Sequence, residues 1–333
     1  MGAPVDPTPP LVQQALAGAT DAPGYPLTRG TPAVRSAVAD YLQRRWGAHV
    51  LPDDVLPVIG TKELVAWLPT LLGVGAGDVV VHPALAYPTY AVGAVLAGAT
   101  AVASDGLTAL GPGPVRLVWL NSPANPDGTV LPVEHMAKVV AWARERDAVV
   151  ASDECYLEFG WDAEPASILH PEVCGGSLDN VLAVHSLSKR SSMAGYRAGA
   201  VAGDPALVRS LHETRRHAGM VVPAPVQAAM VAAFSDDAHV DTQRERYARR
   251  RDVLAEALVA AGFTIERSEG SLYLWATRHE PALASVAWLA ERGVLVAPGH
   301  FYGPGGADFV RVSLTATDER VQAAHDRLAR RPA

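Results

Sequence analysis

Short apolar segments with strand character alternate with helical segments through the first two thirds of the chain. Strands are predicted at residues 78–82, 115–120, 148–152, 181–185 and 198–202, each flanked by polar or glycine residues. Helices are predicted from Thr31-Pro32, where proline occupies the first turn, and at residues 61–72 and 133–146. Strands separated by helices form a mostly parallel sheet with helices on both faces. The pattern therefore predicts an α/β domain.

The last third of the chain has a different order of elements. A long, arginine-rich helix is predicted at residues 240–261. It is followed by a strand at 271–276, a helix at 281–292, strands at 294–297 and 309–314, and a final helix. This order indicates a smaller α+β unit. We predict a large domain over residues 20–230 and a small domain built from residues 1–19 and 231–333.

Composition excludes several classes of function. The net charge is −7 and no long basic run occurs, so we expect no nucleic-acid partner. No signal peptide is visible and the apolar stretches are too short to span a membrane, so we expect no membrane association. Cys155 and Cys174 are not spaced for zinc and make no disulfide framework. We therefore expect no metal site and a reduced, cytoplasmic setting.

Polar side chains follow three of the predicted strands, at the point where each strand ends. Asn121 and Asn125 follow the strand at 115–120, and Asp153 and Tyr156 follow the next strand. Ser186, Ser188 and Lys189 come after the strand at 181–185. Parallel α/β sheets bind ligands beyond the carboxyl ends of their strands. These groups are therefore expected to face one crevice.

The residue types in this set suit one kind of chemistry. A lysine such as Lys189 can form an imine with a carbonyl cofactor and later act as a base. A carboxylate such as Asp153 can pair with a pyridinium nitrogen and make the ring an electron sink. Asn125 and Tyr156 can hydrogen-bond a ring oxygen, and hydroxyls with an arginine can hold a phosphate, which suits Ser186 with Arg197.

Several motifs resemble those of class I/II aminotransferases, which are fold type I pyridoxal-phosphate enzymes. The run from Ser186 through Lys189 to Arg197 resembles the family's lysine signature. Asn125-Pro126-Asp127-Gly128 and Asp153-Glu154-Cys155-Tyr156 resemble its Asn-Pro-x-Gly and Asp-x-x-Tyr motifs. The motifs keep the family's order over nearly the whole chain. The resemblance implies an α/β fold with a seven-stranded, mainly parallel sheet, a smaller α+β domain, and pyridoxal 5′-phosphate as cofactor.

The resemblance also implies roles for individual residues. Lys189, Asp153 and Tyr156 are expected to be catalytic. Thr61 and Lys62 match the phosphate loop at a helix N-terminus, and Tyr87 matches an aromatic residue that stacks on the cofactor. Further cofactor contacts are expected from Asn125, Ser186, Ser188 and Arg197, although Ser188 could equally just shape its turn. Tyr25 matches a tyrosine that reaches the phosphate of the neighbouring subunit, which implies a homodimer.

Substrate contacts are implied at Arg311, Asn125 and Gly2, with Arg311 on the strand that binds the substrate carboxylate in the family. The runs Gly2–Pro10 and Gly299–Pro304 resemble the actinobacterial type of succinyldiaminopimelate aminotransferases. Members carry an N-terminal arm ahead of the loop that here begins at Gly2. The implied reaction is a ping-pong transfer between N-succinyl-LL-2,6-diaminopimelate and 2-oxoglutarate or glutamate, both small molecules.

Other interpretations stay open. The same scaffold could serve an aminotransferase for another amino acid, a C–S lyase, a decarboxylase or a non-catalytic regulator that binds the cofactor. Ser186-x-x-Lys189 also matches a β-lactamase pattern, but the Ser-Asp-Asn and Lys-Thr-Gly partners are missing from the sequence. The glycine-rich run at 73–77 follows a helix and not a strand, which favours a helix stop over a dinucleotide-binding turn.

Overall fold

The computed structural model describes residues 2–106 and 113–329. The strands are β1 Val55–Val58, β2 Val79–His82, β3 Thr100–Ala103, β4 Val115–Asn121, β5 Val149–Asp153, β6 Val181–Ser186, β7 Gly199–Gly203, β8 Thr264–Glu266, β9 Tyr273–Thr277, β10 Ala297–Pro298 and β11 Phe309–Ser313. The helices are α1 Pro10–Gly18, α2 Pro32–Trp46, α3 Thr61–Leu71, α4 Thr89–Leu96, α5 Val133–Arg144, α6 Pro171–Cys174, α7 Leu187–Arg190, α8 Pro205–His217, α9 Ala224–Ser235, α10 Ala238–Ala260, α11 Ala282–Glu291 and α12 Asp318–Ala329.

The larger sheet has seven strands in the order β1-β7-β6-β5-β4-β2-β3. Its five neighbouring strands from β6 to β3 pair in parallel, and only β7 runs antiparallel to its neighbours. The predicted fold class is therefore confirmed. The sequence patterns missed both edge strands, β1 and β3. Strand β1 contains Pro57, which cannot donate a ladder hydrogen bond and is tolerated because the strand lies at an edge.

Helices cover both faces of this sheet. Helices α1, α2, α5 and α9 pack on one face, where residues such as Val38, Val140 and Phe234 form a buried cluster. Helices α3, α4 and α8 pack on the other face around Leu64 and Trp119. Helix α2 begins where predicted, because Thr31 Oγ1 accepts a hydrogen bond from the Val34 amide at 3.3 Å. Helices α1, α4, α8 and α9 and the short helices α6 and α7 were not predicted.

The smaller sheet is antiparallel, in the order β10-β11-β9-β8, and it packs with α10, α11 and α12 around a third apolar cluster. The strand predicted at 294–297 is wrong in its position, since β10 covers only Ala297–Pro298. Gly293 has a φ of 70°, and the Val294 amide donates a hydrogen bond to the Leu289 carbonyl oxygen, so these residues end α11 instead. Strand β8 was not predicted. The first residues contact both parts of the fold. Val12 packs in the core of the larger sheet, and Asp6 accepts a hydrogen bond from Arg250 of α10.

The division of the chain at residues 20 and 230 stays a prediction. Among the residues that the structure describes, no helix is long and apolar enough to cross a membrane. Over the same residues, no cluster of three or more His, Cys, Asp or Glu side chains could hold a metal ion.

The sheet order brings the polar strand ends together. Strand β5 lies between β4 and β6, and Asn121 at the end of β4 is the register partner of Asp153 at the end of β5. Ser186 ends β6 on the same edge, and helix α7 with Lys189 follows at once. All three strand ends open toward the smaller sheet, where they form a cavity.

Candidate active site

A cavity of about 860 Å³ lies between the carboxyl ends of the parallel strands and the smaller sheet. Twelve of the residues predicted for the site line it, and they are Gly2, Thr61, Lys62, Tyr87, Asn125, Asp153, Tyr156, Ser186, Ser188, Lys189, Arg197 and Arg311. Tyr25 is the exception. It lies outside the cavity lining with its side chain fully exposed, so its predicted contact with a neighbouring subunit stays a prediction.

Lys189 is presented to the cavity by a single helical turn. Ser186 Oγ accepts a hydrogen bond from the Ser188 amide at 3.1 Å, which caps α7 and fixes the turn. The Lys189 ammonium donates to the carbonyl oxygen of Gly2. Burial, together with the charges of Arg311 and Arg197, lowers the pKa of Lys189 to about 8. An amine with this pKa is partly neutral at physiological pH, as a nucleophilic lysine requires.

Asp153 is a buried carboxylate at the end of β5. It accepts hydrogen bonds from the Tyr90 hydroxyl at 2.8 Å and from the Cys155 amide at 3.2 Å. Among the described residues no cation pairs with it, and burial raises its pKa. A buried carboxylate that lacks a cation fits a ligand that brings a positive charge, such as a protonated ring nitrogen.

One end of the cavity is built to hold an anion, and we call it the phosphate end. It is formed by the N-terminus of α3 at Thr61, the hydroxyls of Ser186 and Ser188, and Arg197. The Arg197 guanidinium lies directly against Gly60, so that a Cβ at Gly60 would come within 2.2 Å of Nη2. Helix N-termini and guanidinium groups both favour anions. The arrangement suits a phosphate group.

The opposite end, which we call the carboxylate end, is organised around Arg311 on β11. Its Nη1 donates to Asn125 Oδ1 at 2.5 Å, and its Cζ lies 3.9 Å from the ring centroid of Tyr273. The ring of Tyr302 lies on it at 4.8 Å. The buried Nε of Arg311 has no hydrogen-bond partner among the described residues. Such an arginine is ready to receive a carboxylate.

The structure adds cavity residues that the sequence motifs did not single out. They are Tyr90, Cys155, Tyr273, Phe301 and Tyr302, and Asn121, which the sequence places at this crevice, lines it as well. Asn121 fixes the turn after β4, because its Oδ1 accepts from the Asn125 amide at 2.8 Å and its Nδ2 donates to the Asp153 carbonyl at 2.8 Å. Tyr90 lies three residues after Tyr87 in the sequence, whereas Tyr273 is brought in by the register of β9 with β11 and Tyr302 by the segment after β10.

The donor set fits pyridoxal phosphate on these observations. The unpaired carboxylate of Asp153 suits its ring nitrogen, Lys189 its aldehyde, and the phosphate end its phosphate.

Comparison with known proteins agrees with this fit. A family model described as aminotransferase class I and II matches residues 4–328. The chain belongs to this family. Its members depend on pyridoxal phosphate, so the predicted cofactor is confirmed, and they act on small amino-acid and 2-oxo-acid substrates.

Two relatives are similar along nearly the whole chain. A probable aminotransferase, Rv1178, from Mycobacterium tuberculosis is 63% identical over 98% of this chain and 79% of its own length. The 4-dedimethylamino-4-oxo-anhydrotetracycline transaminase OxyQ from Streptomyces rimosus is 60% identical over 98% of this chain and 91% of its own length. An LL-diaminopimelate aminotransferase from Gloeobacter violaceus is more distant, at 34% identity over 98% of this chain and 88% of its own length.

Solved aminotransferases share the fold. The substrate-bound structure of BacF from Bacillus subtilis superposes with a TM-score of 0.91 at 27% identity, over 99% of this chain and 88% of that chain. An aminotransferase from Staphylococcus aureus gives a TM-score of 0.91 at 26% identity, over 99% of this chain and 92% of that chain.

Proposed function

We propose that this aminotransferase moves an amino group between N-succinyl-LL-2,6-diaminopimelate and 2-oxoglutarate or glutamate, in the biosynthesis of diaminopimelate and lysine. The charge of the cavity carries the proposal. Among its described lining residues, Lys62, Lys189, Arg197 and Arg311 are cationic and Asp153 is the single carboxylate. A cation excess of this kind favours ligands with several anionic groups. The cofactor phosphate accounts for one, and the proposed donor carries three carboxylates.

In this proposal, residues next to strands of the larger sheet hold the cofactor and move the proton. Bound pyridoxal phosphate supplies the electron sink that makes the substrate α-carbon acidic. Asp153 would hold the ring nitrogen in its protonated form, and Asn125 and Tyr156 would hydrogen-bond the ring oxygen. With the cofactor bound, the Lys189 amine would be the group that takes the proton from the substrate α-carbon and later returns it. A pKa of about 8 leaves Lys189 able to accept and to release that proton.

The substrate is oriented from the carboxylate end. Arg311 binds the α-carboxylate in a fork with the geometry that a planar guanidinium prefers. Two fixed hydrogen bonds, together with the ring of Tyr273 beneath the guanidinium, restrict rotation of the substrate. The Cα–H bond can then be held in line with Lys189, which is how positioning accelerates such a proton transfer.

We propose a homodimer that works in the cytoplasm. The large side chains of Tyr25 and Leu27 are exposed in the single chain, and an interface with a second subunit would bury their apolar surface. Tyr25 would reach the cofactor phosphate of the second subunit.

A second candidate is an amino transfer to a bulky ketone. It is supported by the 60% identity to the Streptomyces rimosus enzyme, whose name specifies a 4-oxo-anhydrotetracycline substrate. The volume of about 860 Å³ is large enough to admit a polycyclic substrate next to the cofactor.

Absorbance of the reconstituted enzyme separates these candidates. Glutamate, N-succinyl-LL-2,6-diaminopimelate, aspartate, alanine and an aromatic amino acid are added singly, and the loss of the yellow cofactor band is followed. We expect rapid bleaching by glutamate and the succinylated donor, with colour restored by 2-oxoglutarate. Bleaching by glutamate with colour restored only by a polycyclic ketone would establish the second candidate. Bleaching only by another donor would keep the aminotransferase and contradict the diaminopimelate assignment.

A further inference from the structure

Tyr273 occupies a junction that no sequence motif indicated. It is the first residue of β9, it is paired in register with Ser313 of β11, and 3% of its surface is exposed. Its side chain projects into the carboxylate end of the cavity. Its position therefore depends on the pairing of β9 with β11, which brings it within reach of groups from three distant parts of the chain.

The phenol of Tyr273 contacts each of those groups. Its hydroxyl lies 2.8 Å from the hydroxyl of Tyr156, and its ring lies 3.9 Å from Cζ of Arg311. Gly2 lies against the Tyr273 hydroxyl, since a Cβ added to Gly2 would stand 2.6 Å from the hydroxyl oxygen. Gly2 also has a φ of 72°, which few residues other than glycine adopt. The contact between the two hydroxyls is buried.

The direction of that hydrogen bond follows from counting protons. A phenol carries one hydrogen and can accept through its oxygen. Burial raises the pKa of Tyr156 well above its usual value, so Tyr156 keeps its proton. If Tyr156 donates that proton to the ring oxygen of the cofactor, it has none left for Tyr273. Tyr273 must then donate to Tyr156, and a chain of two donors in one direction strengthens the second bond.

We propose that Tyr273 is a positioning residue that donates a hydrogen bond to Tyr156 and so directs the Tyr156 proton at the ring oxygen of the cofactor. This inference rests on the role proposed above for Tyr156. The ring of Tyr273 also packs against Arg311. One side chain therefore connects Tyr156, which tunes the cofactor, with Arg311, which binds the substrate carboxylate.

Tyr302 provides a matched control within the same cavity. Its ring also lies on Arg311, at 4.8 Å. Among the described residues, its hydroxyl has no hydrogen-bond partner, whereas that of Tyr273 bonds Tyr156. Phenylalanine at either position keeps a ring on Arg311 and removes one hydroxyl. A difference between the two variants therefore reports the hydroxyl of Tyr273 and not the packing of an aromatic ring.

The test is a pH titration of the cofactor absorbance in the holoenzyme and in the variants Tyr273→Phe, Tyr302→Phe, Tyr156→Phe and the double variant Tyr156→Phe/Tyr273→Phe. A hydrogen bond from Tyr156 stabilises the deprotonated ring oxygen, so a weaker bond raises the midpoint of the titration. We expect an upward shift of about 0.5–1 pH unit for Tyr273→Phe and about 1–2 units for Tyr156→Phe. Tyr302→Phe should stay within about 0.2 units of the wild type. The double variant should match Tyr156→Phe alone.

Steady-state kinetics supply the second readout. For Tyr273→Phe we expect kcat to fall about three- to tenfold while KM for the amino donor stays within about twofold, because the ring on Arg311 is retained.

Each contrary result has a distinct meaning. An unchanged midpoint in Tyr273→Phe, with a shifted midpoint in Tyr156→Phe, would overturn the inference and leave the proposed function intact. Additive shifts in the double variant would show that Tyr273 does not act through Tyr156. Loss of the cofactor in Tyr273→Phe, but not in Tyr156→Phe, would contradict it equally. No shift in Tyr156→Phe would remove the proposed role of Tyr156, and the inference with it.

Discussion

The two ends of the cavity are built in different ways. At the phosphate end, the ligand groups all come from segments next to strands of the larger sheet: Thr61 begins α3, and Ser186, Ser188 and Arg197 lie within twelve residues of one another. At the carboxylate end they come from distant segments. Asn125 and Arg311 are 186 residues apart, Tyr156 and Tyr273 are 117 apart, and Lys189 and Gly2 are 187 apart. The phosphate end is thus built within the larger sheet, by the turn at Ser186 and the contact of Arg197 with Gly60, and the carboxylate end by packing between the two sheets. Substrate recognition can therefore change while the cofactor chemistry stays the same.

The largest effect is expected where the two ends meet, at Lys189. Replacement Lys189→Ala removes both the covalent partner of the cofactor and the base, so turnover should fall at least about 10⁴-fold. The exposed lysine of α5 provides the control, since Lys138→Ala should leave the rate unchanged. Transamination by Lys189→Ala at a rate near that of the wild type would end the assignment.

Substitution of one arginine at each end should separate binding of the cofactor from binding of the substrate. Arg311→Gln should raise KM for the amino donor about 100-fold and weaken cofactor binding far less, because it removes the carboxylate fork and, at the cofactor, only the hydrogen bond that supports Asn125. Arg197→Gln should weaken cofactor binding about tenfold to 100-fold.

Cofactor titration by fluorescence and steady-state kinetics on both variants give these values. Equal losses of cofactor affinity in Arg311→Gln and Arg197→Gln would show that the two ends are not separate.

The pKa of Lys189 gives a smaller, pH-dependent effect. Burial lowers this pKa to about 8, so the neutral amine that reacts with the cofactor aldehyde is present above that pH and is lost below it. The rate of cofactor uptake by the apoenzyme should rise about fivefold from pH 7 to pH 8 and level off above about pH 9. Stopped-flow absorbance measures the rate. A rise of about tenfold per unit that continues to pH 10 would indicate an ordinary lysine.

The smallest effect concerns the segment that carries Gly2. Asp6 is anchored to Arg250 on α10 by hydrogen bonds of 2.7 and 2.8 Å, with 8% of its side chain exposed. Asp6→Asn should loosen this segment and raise KM for the amino donor about two- to fivefold, without altering the cofactor spectrum.

The control uses the second carboxylate on Arg250. Asp318 is 69% exposed, and exposed ion pairs contribute little, so Asp318→Asn should leave KM unchanged. Equal effects of the two substitutions would contradict a specific role for the anchored segment.

The same contrast explains what the sequence could predict. Lys189, Asp153 and Asn125 lie in runs whose spacing follows from a strand end and the turn after it, so their convergence on one crevice could be inferred. Tyr273 and Tyr302 could not be found in this way, because the register of β9 with β11 and the loop after β10 place them. Helix α8 did carry a sequence signal for its start, an aspartate followed by proline at Asp204-Pro205. In the structure Asp204 caps the helix, because its Oδ1 accepts a hydrogen bond from the Ala206 amide at 2.7 Å.

The edge strands were missed for a physical reason. Strand β1 is interrupted by Pro57, β8 has three residues, and β3 is exposed at both ends, so none shows the uninterrupted apolar run of a central strand. The central strands β4, β5 and β6 are buried along nearly their whole length, and their apolar runs predicted them well.

The central claim is that Lys189 carries the cofactor, and the chain offers a direct test because it contains only three lysines, Lys62, Lys138 and Lys189. The reconstituted enzyme is treated with borohydride to fix the cofactor covalently, digested, and mapped by mass spectrometry. We predict that the added mass of the reduced phosphopyridoxyl group lies on the peptide containing Lys189 alone. Labelling of Lys62 or Lys138 in its place, or no label in protein that binds the cofactor, would contradict the account.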